Sequence, residues 1–146
     1  MATSTLLQKL DGGSDFGAST SARRQVEVFI ANGTVAAGDV VAFDTSKTGA
    51  DRVLYVTKAA LVPNGNGLCC GVALHAATAG ENLKTVIAGY AESVTSNGAM
   101  AIGNILTASG AVAGEVDGRI AADISAAFGV ALEAGANPDC WIYKQF

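Results

Sequence analysis

Apolar and polar residues alternate along much of the chain, and a period of two predicts β-strands. The first example is the segment Arg24–Ile30, in which Val26, Val28 and Ile30 share one face. The same reasoning predicts further strands at Asp39–Phe43, Val53–Thr57, Leu68–His75, Leu83–Ala88, Ala91–Thr95, Asn104–Ala108, Arg119–Ala122, Phe128–Glu133 and Cys140–Lys144.

Turn-forming dipeptides separate these predicted strands, among them Asn32-Gly33, Asn97-Gly98 and Asp117-Gly118. Such pairs favour the positive φ angles of tight hairpins. No segment carries helical periodicity over a useful length. Many short strands joined by glycine-rich turns predict an all-β fold, an antiparallel β-barrel or sandwich.

Two short phrases occur twice in the same order. The segment Asn32–Val41 returns 65 residues later as Asn97–Leu106, and the tetrapeptide Gly71–Leu74 returns as Gly129–Leu132. The repeated positions are turn glycines and apolar pairs, so the duplicated unit is a turn and a strand. We therefore expect two similar halves, about residues 26–95 and 96–146, that share one core.

The first residues lack this alternation. Residues 1–22 are small, polar and glycine-containing, and they predict an extended N-terminal arm ahead of a single β-domain at 23–146. Apolar anchors within the arm could bind a neighbouring protein, and the alternative is a disordered tail. The candidate contact residues of the arm and its junction are Leu6, Leu7, Leu10, Phe16, Arg23 and Arg24.

The composition indicates that the chain associates with other protein. The chain has 146 residues, enough for one domain with a substantial core. Hydrophobic residues make up 50% and charged residues 15%, which is rich for a soluble monomer, yet no apolar run could span a bilayer. We expect the excess apolar surface to meet other protein, with the alternating Trp141, Tyr143 and Phe146 as candidate oligomer contacts.

The charge distribution argues against nucleic-acid binding. The formal net charge is −4, and no basic stripe is present to neutralise phosphates. The N-terminus lacks the long apolar region of a secretory signal, so synthesis in a cytoplasm is expected.

No constellation of reactive residues predicts catalysis. The single histidine, His75, stands where the second repeat carries Glu133, so a strand-end surface position is favoured over a catalytic or metal site. Glu81 and Asp139 occupy matching turn positions and are interpreted as turn carboxylates. We expect no enzymatic activity, no cofactor and no metal.

The cysteines do not form a metal-binding pattern. Adjacent strand residues point to opposite faces, so Cys69 and Cys70 cannot easily ligate one metal, and Cys140 is distant in the sequence. We expect all three to be buried or half-buried apolar residues.

The order of several segments resembles that of tailed-phage capsid decoration (cement) proteins, in particular a small β-rich group once catalogued as a domain of unknown function. The resemblance covers about residues 23–146. Its segments are Arg23–Phe29, Ala37–Asp44, Lys47–Arg52, Leu54–Val56, Gly71–Leu74, Ala79–Glu81, Val86–Tyr90, Val130–Ala134 and Trp141–Lys144.

The resemblance implies a virion protein on the outer surface of an icosahedral head. It implies binding to the major capsid protein, self-association often as a homotrimer, and no enzymatic activity. A second class remains open, a glycan-binding or host-attachment module on the virion surface. Such a module is expected to gather exposed aromatic residues in a cleft, whereas the chain has only three Tyr and one Trp.

Overall fold

The computed structural model describes residues 23–59, 68–119 and 127–143. These residues form strands and one 3-10 segment, Gly49–Val53. The strands are β1 (Arg24–Ala31), β2 (Val40–Phe43), β3 (Tyr55–Lys58), β4 (Cys69–Ala73), β5 (Asn82–Ala91), β6 (Ile105–Ala108), β7 (Val116–Gly118), β8 (Gly129–Ala131) and β9 (Cys140–Ile142). The all-β prediction is confirmed.

The first five strands close into a barrel. Their order is β1-β3-β2-β4-β5, and β5 pairs again with β1. The β1–β3 pair is parallel, and the other four pairs are antiparallel. Closure leaves no unpaired sheet edge in this half of the chain.

The second half repeats that strand order around the end of β5. The last residues of β5 pair with β9, and the order continues β9-β8-β6-β7. A parallel bridge between Ser96 and Val116 connects the segment after β5 to β7, as Ala31 and Val56 connect β1 to β3. Strand β5 therefore belongs to both halves.

The strand register is the same in the two repeats. In the first, Val41 pairs with Gly71 on one side and Lys58 on the other. In the second, Leu106 pairs with Gly129 and Gly118. The prediction of two similar halves is confirmed, and residues at matching places are called counterparts below.

The apolar core consists of two clusters. The smaller cluster fills the first barrel and includes Phe29, Val41 and Leu83. The larger cluster combines the interior of the second half with side chains from the outer face of the first barrel, such as Val40 and Val72. The expectation of one shared core is correct only for the larger cluster, because the first barrel closes around its own interior.

Most predicted strands shift by one or two residues at their ends, and the larger differences lie after β5 and around β7. The strand predicted at Leu83–Ala88 continues through Gly89 as far as Ala91. The separate strand predicted at Ala91–Thr95 is wrong, because only its first residue belongs to β5 and Ser93 already has a positive φ angle. Strand β7 ends at Gly118, directly before the strand predicted at Arg119–Ala122, and of that prediction only Arg119 lies within the described residues. The predicted arm, residues 1–22, lies outside the described residues.

Two matched glycines allow neighbouring strands to approach closely. A Cβ atom on Gly71 would lie 2.2 Å from the backbone oxygen of Val86, and one on Gly129 would lie 2.6 Å from that of Trp141. Real Cβ atoms do not approach a carbonyl oxygen so closely, since the repulsion is too strong. The tetrapeptide repeat thus begins with glycine for the same steric reason in both halves.

Alanine at either glycine is expected to destabilise the protein. Both G71A and G129A should lower the free energy of unfolding by about 1–3 kcal/mol, since the strands must separate to fit the methyl group. The control is G110A, where an added Cβ has nothing within 4 Å and the change should stay within about 0.5 kcal/mol. Chemical denaturation measures all three; a G71A midpoint equal to that of wild type would contradict the packing argument.

One turn contains a buried charge in the first half and a neutral amide in the second. Asp39 and Asn104 each accept a bond at 2.8 Å from the backbone N–H three residues earlier. The Asp39 carboxylate also pairs with the Lys58 ammonium at 2.9 Å, whereas the counterpart of Lys58 is Gly118. The carboxylate thus occurs in the repeat that supplies a cation. Because Asp39 is buried, its charge needs the Lys58 ammonium as a partner.

Removing the cation of Lys58 is expected to lower the free energy of unfolding more than removing the charge of Asp39. K58M leaves Asp39 buried without its ion pair and should lower the free energy of unfolding by about 1–3 kcal/mol. D39N keeps the turn hydrogen bond and should lower it by less than about 1 kcal/mol. The double variant should recover most of the K58M loss. Urea denaturation of the three variants tests this, and additive losses in the double variant would refute the coupling.

Candidate contact surface

A shallow groove lies where β1, β5 and β9 meet, and it joins two groups of predicted contact residues. Arg23 and Arg24 are predicted contacts with a neighbouring protein, which the resemblance implies to be the capsid, and Trp141 is a predicted oligomer contact. The structure places them side by side on one surface. The groove is lined by Arg23, Arg24, Gln25, Ala88, Gly89 and Trp141.

Gly89 positions this groove. It pairs with Arg24 of β1 on one edge of β5 and with Ile142 of β9 on the other. Its φ angle is +90°, and a Cβ atom would lie 2.0 Å from the backbone oxygen of Arg23. Only glycine combines this conformation with this approach, so Gly89 sets where β5 passes from the first barrel to the second.

The predicted C-terminal contact residues face outward. Trp141 lies between the buried Cys140 and Ile142 and is 39% exposed, and Tyr143 is 38% exposed. Alternation along β9 directs the indole away from the core, so a core role for these aromatics is excluded. The remaining predicted contact residues, Leu6, Leu7, Leu10, Phe16 and Phe146, lie outside the described residues.

Trp141 belongs to a row of side chains across four strands. It pairs with Tyr90 of β5 and Val130 of β8, and Val130 pairs with Ile105 of β6. Directly paired residues project from the same face of a sheet. Ile105 is 41% exposed, and Tyr90 and Val130 are half-buried. We call these four residues the apolar row.

Ile105 and Val130 are not among the contact residues predicted from the sequence. The signal was present in the alternation of β6, where Leu106 is buried and Ile105 is not. It could not be used without knowing which face of the strand is covered. The apolar row depends on strand neighbours that are distant in the sequence.

The polar end of Tyr90 is fixed at the edge of the row. Its hydroxyl donates to the Asp139 carboxylate, which also accepts the backbone N–H of Ser93 at 3.0 Å. The hydrogen bond to Asp139, with burial and neighbouring acids, raises the pKa of Tyr90 to about 12. Asp139 therefore ties the end of β5 to the start of β9, in agreement with its interpretation as a turn carboxylate.

His75 and Glu81 likewise organise turns. The Nε2 atom of His75 accepts the backbone N–H of Lys84 at 3.0 Å, so the Nδ1 atom carries the proton and donates to the backbone oxygen of Ala76 at 2.9 Å. The Glu81 carboxylate accepts the backbone N–H of Thr78 at 2.6 Å, which lowers the pKa of Glu81. Both side chains brace local backbone.

All three cysteines are buried, as predicted. Cys69 lies in the larger cluster and Cys70 in the smaller one, because adjacent strand residues face opposite sides. Burial raises the pKa of Cys69 and of Cys140 to about 12 and raises that of Cys70 as well. These thiols remain protonated near neutral pH.

Across residues 23–59, 68–119 and 127–143, no group of three or more histidine, cysteine or acidic side chains is arranged to hold a metal ion. The same residues contain no helix with the length and apolar character of a membrane span.

A cavity of about 400 Å³ lies beside the loop between β2 and β3, walled by Phe43, Asp44, Thr45, Arg52, Val53 and Leu68. Its two charged side chains, Asp44 and Arg52, are engaged within the chain. Burial raises the pKa of Asp44, but bonds from the Ser46 backbone and the Asn32 amide outweigh it and lower the pKa overall. Arg52 donates to the Lys47 backbone oxygen at 2.9 Å.

Comparison with known proteins finds a fold relative. No protein-family model and no curated protein matches the chain. Among solved structures, the head fiber gp8.5 N base of bacteriophage phi29 is similar, with a TM-score of 0.55 and 18% sequence identity. The match covers 82% of this chain and 94% of that one. At this identity the likeness shows a common fold, and it spans nearly the whole of the phage domain.

Alanine at Gly89, in the groove, is expected to destabilise the protein more than alanine at Gly80, which lies outside the groove. Both glycines have φ near +90°, but an added Cβ at Gly80 has nothing within 4 Å. G80A should therefore cost about 1 kcal/mol from backbone strain alone, and G89A at least about 2 kcal/mol more from the collision with Arg23. Thermal unfolding of the two variants measures the difference, and equal losses would show that the Arg23 contact does not matter.

Proposed function

We propose that this chain is a structural protein of a tailed-phage head. In this proposal it binds the outer surface of the capsid and stabilises the expanded head by bridging neighbouring major capsid proteins. The observation that carries the proposal is the fold similarity to the phi29 head fiber base, which extends over 94% of that domain. A domain matched from end to end is a better guide to role than a match to a fragment, although a fold can serve several functions.

The sequence supports the same role independently of the fold. The order of segments between Arg23 and Lys144 resembles that of capsid decoration proteins. The exposed surface also suits a binding protein, because Trp141 and the Arg23-Arg24 pair share one groove. Aromatic and arginine side chains are enriched among residues that contribute most to protein interfaces.

The physical mechanism is preferential binding to one state of the shell. A ligand that binds only the expanded shell stabilises it by about 4 kcal/mol when its free concentration is a thousandfold above Kd. A homo-oligomer, which we propose to be a trimer, would make several such contacts at once and raise the overall affinity. Stabilisation therefore requires neither catalysis nor a cofactor.

The cavity beside Asp44 and Arg52 favours a second candidate, a glycan-binding or host-attachment module. A concave site with an apolar wall and a few polar groups can hold a small ligand. The cavity offers little for a sugar ring to stack on, because Phe43 is the single aromatic on its described wall and its ring packs edge-on against Phe29 at 5.9 Å. The capsid role is therefore placed first.

Co-sedimentation with expanded phage heads tests the capsid role. Full-length protein should pellet with heads, and the charge-removing double change of Arg23 and Arg24 to alanine should weaken binding about tenfold or more, equivalent to about 1.4 kcal/mol. Deleting residues 2–20 should weaken it similarly if the arm supplies contacts. The matched control is K84A, which removes an exposed cation elsewhere and should leave binding unchanged.

The alternatives give distinct results in the same experiment. Binding to host cells or glycan arrays without binding to heads would transfer the proposal to the attachment module. Failure of full-length protein to bind heads at any concentration would overturn the capsid role. Full binding after both changes would refute the assigned contact residues while leaving the role itself intact.

A further inference from the structure

The same asparagine–glycine turn stands in both repeats. Asn32-Gly33 follows β1, and its counterpart Asn97-Gly98 lies in the segment after β5, beside the bridge to β7. Both asparagines are exposed, and the two glycines have φ angles of +142° and +123°, so each turn favours glycine at that position. Neither glycine donates its backbone N–H to another described residue. The backbone is therefore alike at the two sites.

The side-chain amides of the two asparagines differ. Asn32 donates through its Nδ2 atom to the carboxylate of Asp44, which is buried and also accepts the backbone N–H of Ser46 at 2.9 Å. The amide of Asn97 has no hydrogen-bond partner among the described residues. The first amide is therefore held in place, whereas the second can rotate.

A substitution at one matched position accounts for this difference. The counterpart of Asp44 is Ser109, since each directly follows its strand, β2 or β6. The Ser109 hydroxyl oxygen accepts the backbone N–H groups of Ala111 at 3.0 Å and of Val112 at 3.2 Å. The Ala111 bond corresponds to the one that Asp44 accepts from Ser46. Two bonds fill the acceptor sites of a hydroxyl, whereas a carboxylate has a second oxygen for the asparagine amide.

An asparagine followed by glycine loses ammonia without an enzyme. The backbone nitrogen of the glycine gives its proton to hydroxide and attacks the side-chain carbon Cγ. A bond forms between that nitrogen and Cγ, the bond from Cγ to Nδ2 breaks, and Nδ2 takes a proton from water and leaves as ammonia. Water then opens the cyclic imide at either carbonyl carbon and gives aspartate or isoaspartate. Water is the only co-reactant, and asparagine is accordingly among the thermolabile residues.

We propose that Asn97 is a site of spontaneous deamidation and that Asp44 protects Asn32 from the same reaction. The attack requires the amide carbon to turn toward the glycine nitrogen, so the Asn32 amide must first leave a charged acceptor. Hydrogen bonds to charged groups are the stronger ones, and Asn97 should therefore react at least about tenfold faster than Asn32. The fold thus selects one of two matched sites, and this inference does not depend on the phage role.

The modification alters a turn that connects two segments of the second half. The Ser96 hydroxyl donates to the Gly98 oxygen at 2.8 Å and accepts the backbone N–H of Asn137 at 2.9 Å. Isoaspartate at position 97 adds a methylene group to the main chain between Ser96 and Gly98, so their hydrogen bond no longer fits. The new carboxylate also adds a negative charge to a chain of net charge −4. The product is therefore separable by anion-exchange chromatography.

Peptide mapping of aged full-length protein tests the proposal. Protein incubated in mildly alkaline buffer is digested, and mass spectrometry follows the exchange of NH2 for OH at each asparagine. Electron-transfer fragmentation distinguishes isoaspartate from aspartate. In folded wild-type protein, conversion at Asn97 should be at least about tenfold faster than at Asn32. In guanidinium chloride the two rates should become similar, because unfolding removes the bond to Asp44.

The variant D44S gives the first repeat the residue of the second. It keeps an acceptor for the Ser46 N–H and removes the one for Asn32, so conversion at Asn32 should rise to the rate at Asn97. The matched control is D51S, which removes an exposed carboxylate from the loop between β2 and β3 and should leave both rates as in wild type. Circular dichroism checks the strand content of both variants.

Each outcome decides one part of the proposal. Equal rates at Asn32 and Asn97 in the folded wild type would overturn it. A difference that persists in denaturant would also overturn it, since the local sequence and not the fold would then set the rates. A slow Asn32 in folded D44S would overturn the protective role of Asp44. Should D44S lose its strand content, the folded and unfolded wild-type rates decide by themselves.

Discussion

Both halves of the fold depend on the hydrogen bonds that β5 makes along its length. Its first residues pair with β1 and β4 to close the first barrel, and its last residues pair with β9 to begin the second. At Gly89 the strand has partners on both edges, and no side chain larger than hydrogen fits beside Arg23. The halves therefore cannot move apart as independent domains without breaking a strand that each of them needs.

The sharing of β5 also explains the unequal cores. The first barrel is closed, so Phe29 and Leu83 lie in an interior that the second half does not reach. The outer valines of that barrel add to the interior of the second half and form the larger cluster. The second half has few and short strands, so by itself it would bury little apolar surface. The outer face of the first barrel supplies the apolar surface that it lacks.

Sequence patterns predicted turns and strands well, but they did not predict which side chains are buried and which are exposed. The repeated phrases placed equivalent turns and strands correctly, because glycine, asparagine and alternating apolar residues act over a few positions. Val40 and Ile105 show where this information ends: they occupy the same place in the same phrase, yet one is buried and the other is 41% exposed. The sequence predicted a strand end at Ala88, whereas β5 continues through Gly89, because the contact that Gly89 makes with Arg23 comes from a segment 66 residues earlier in the chain.

The charge difference between the repeats has a consequence for how the chain finds its topology. Two halves with the same register offer each other alternative partners during folding, and β2 could pair with β7 as readily as with β3 by hydrogen-bond pattern alone. That exchange would bring Asp39 against Gly118 and bury its carboxylate without a cation, while Lys58 would face the neutral Asn104. The mispaired barrel is thus less stable than the native one, so divergence at a single pair of positions helps a duplicated chain to distinguish its own halves.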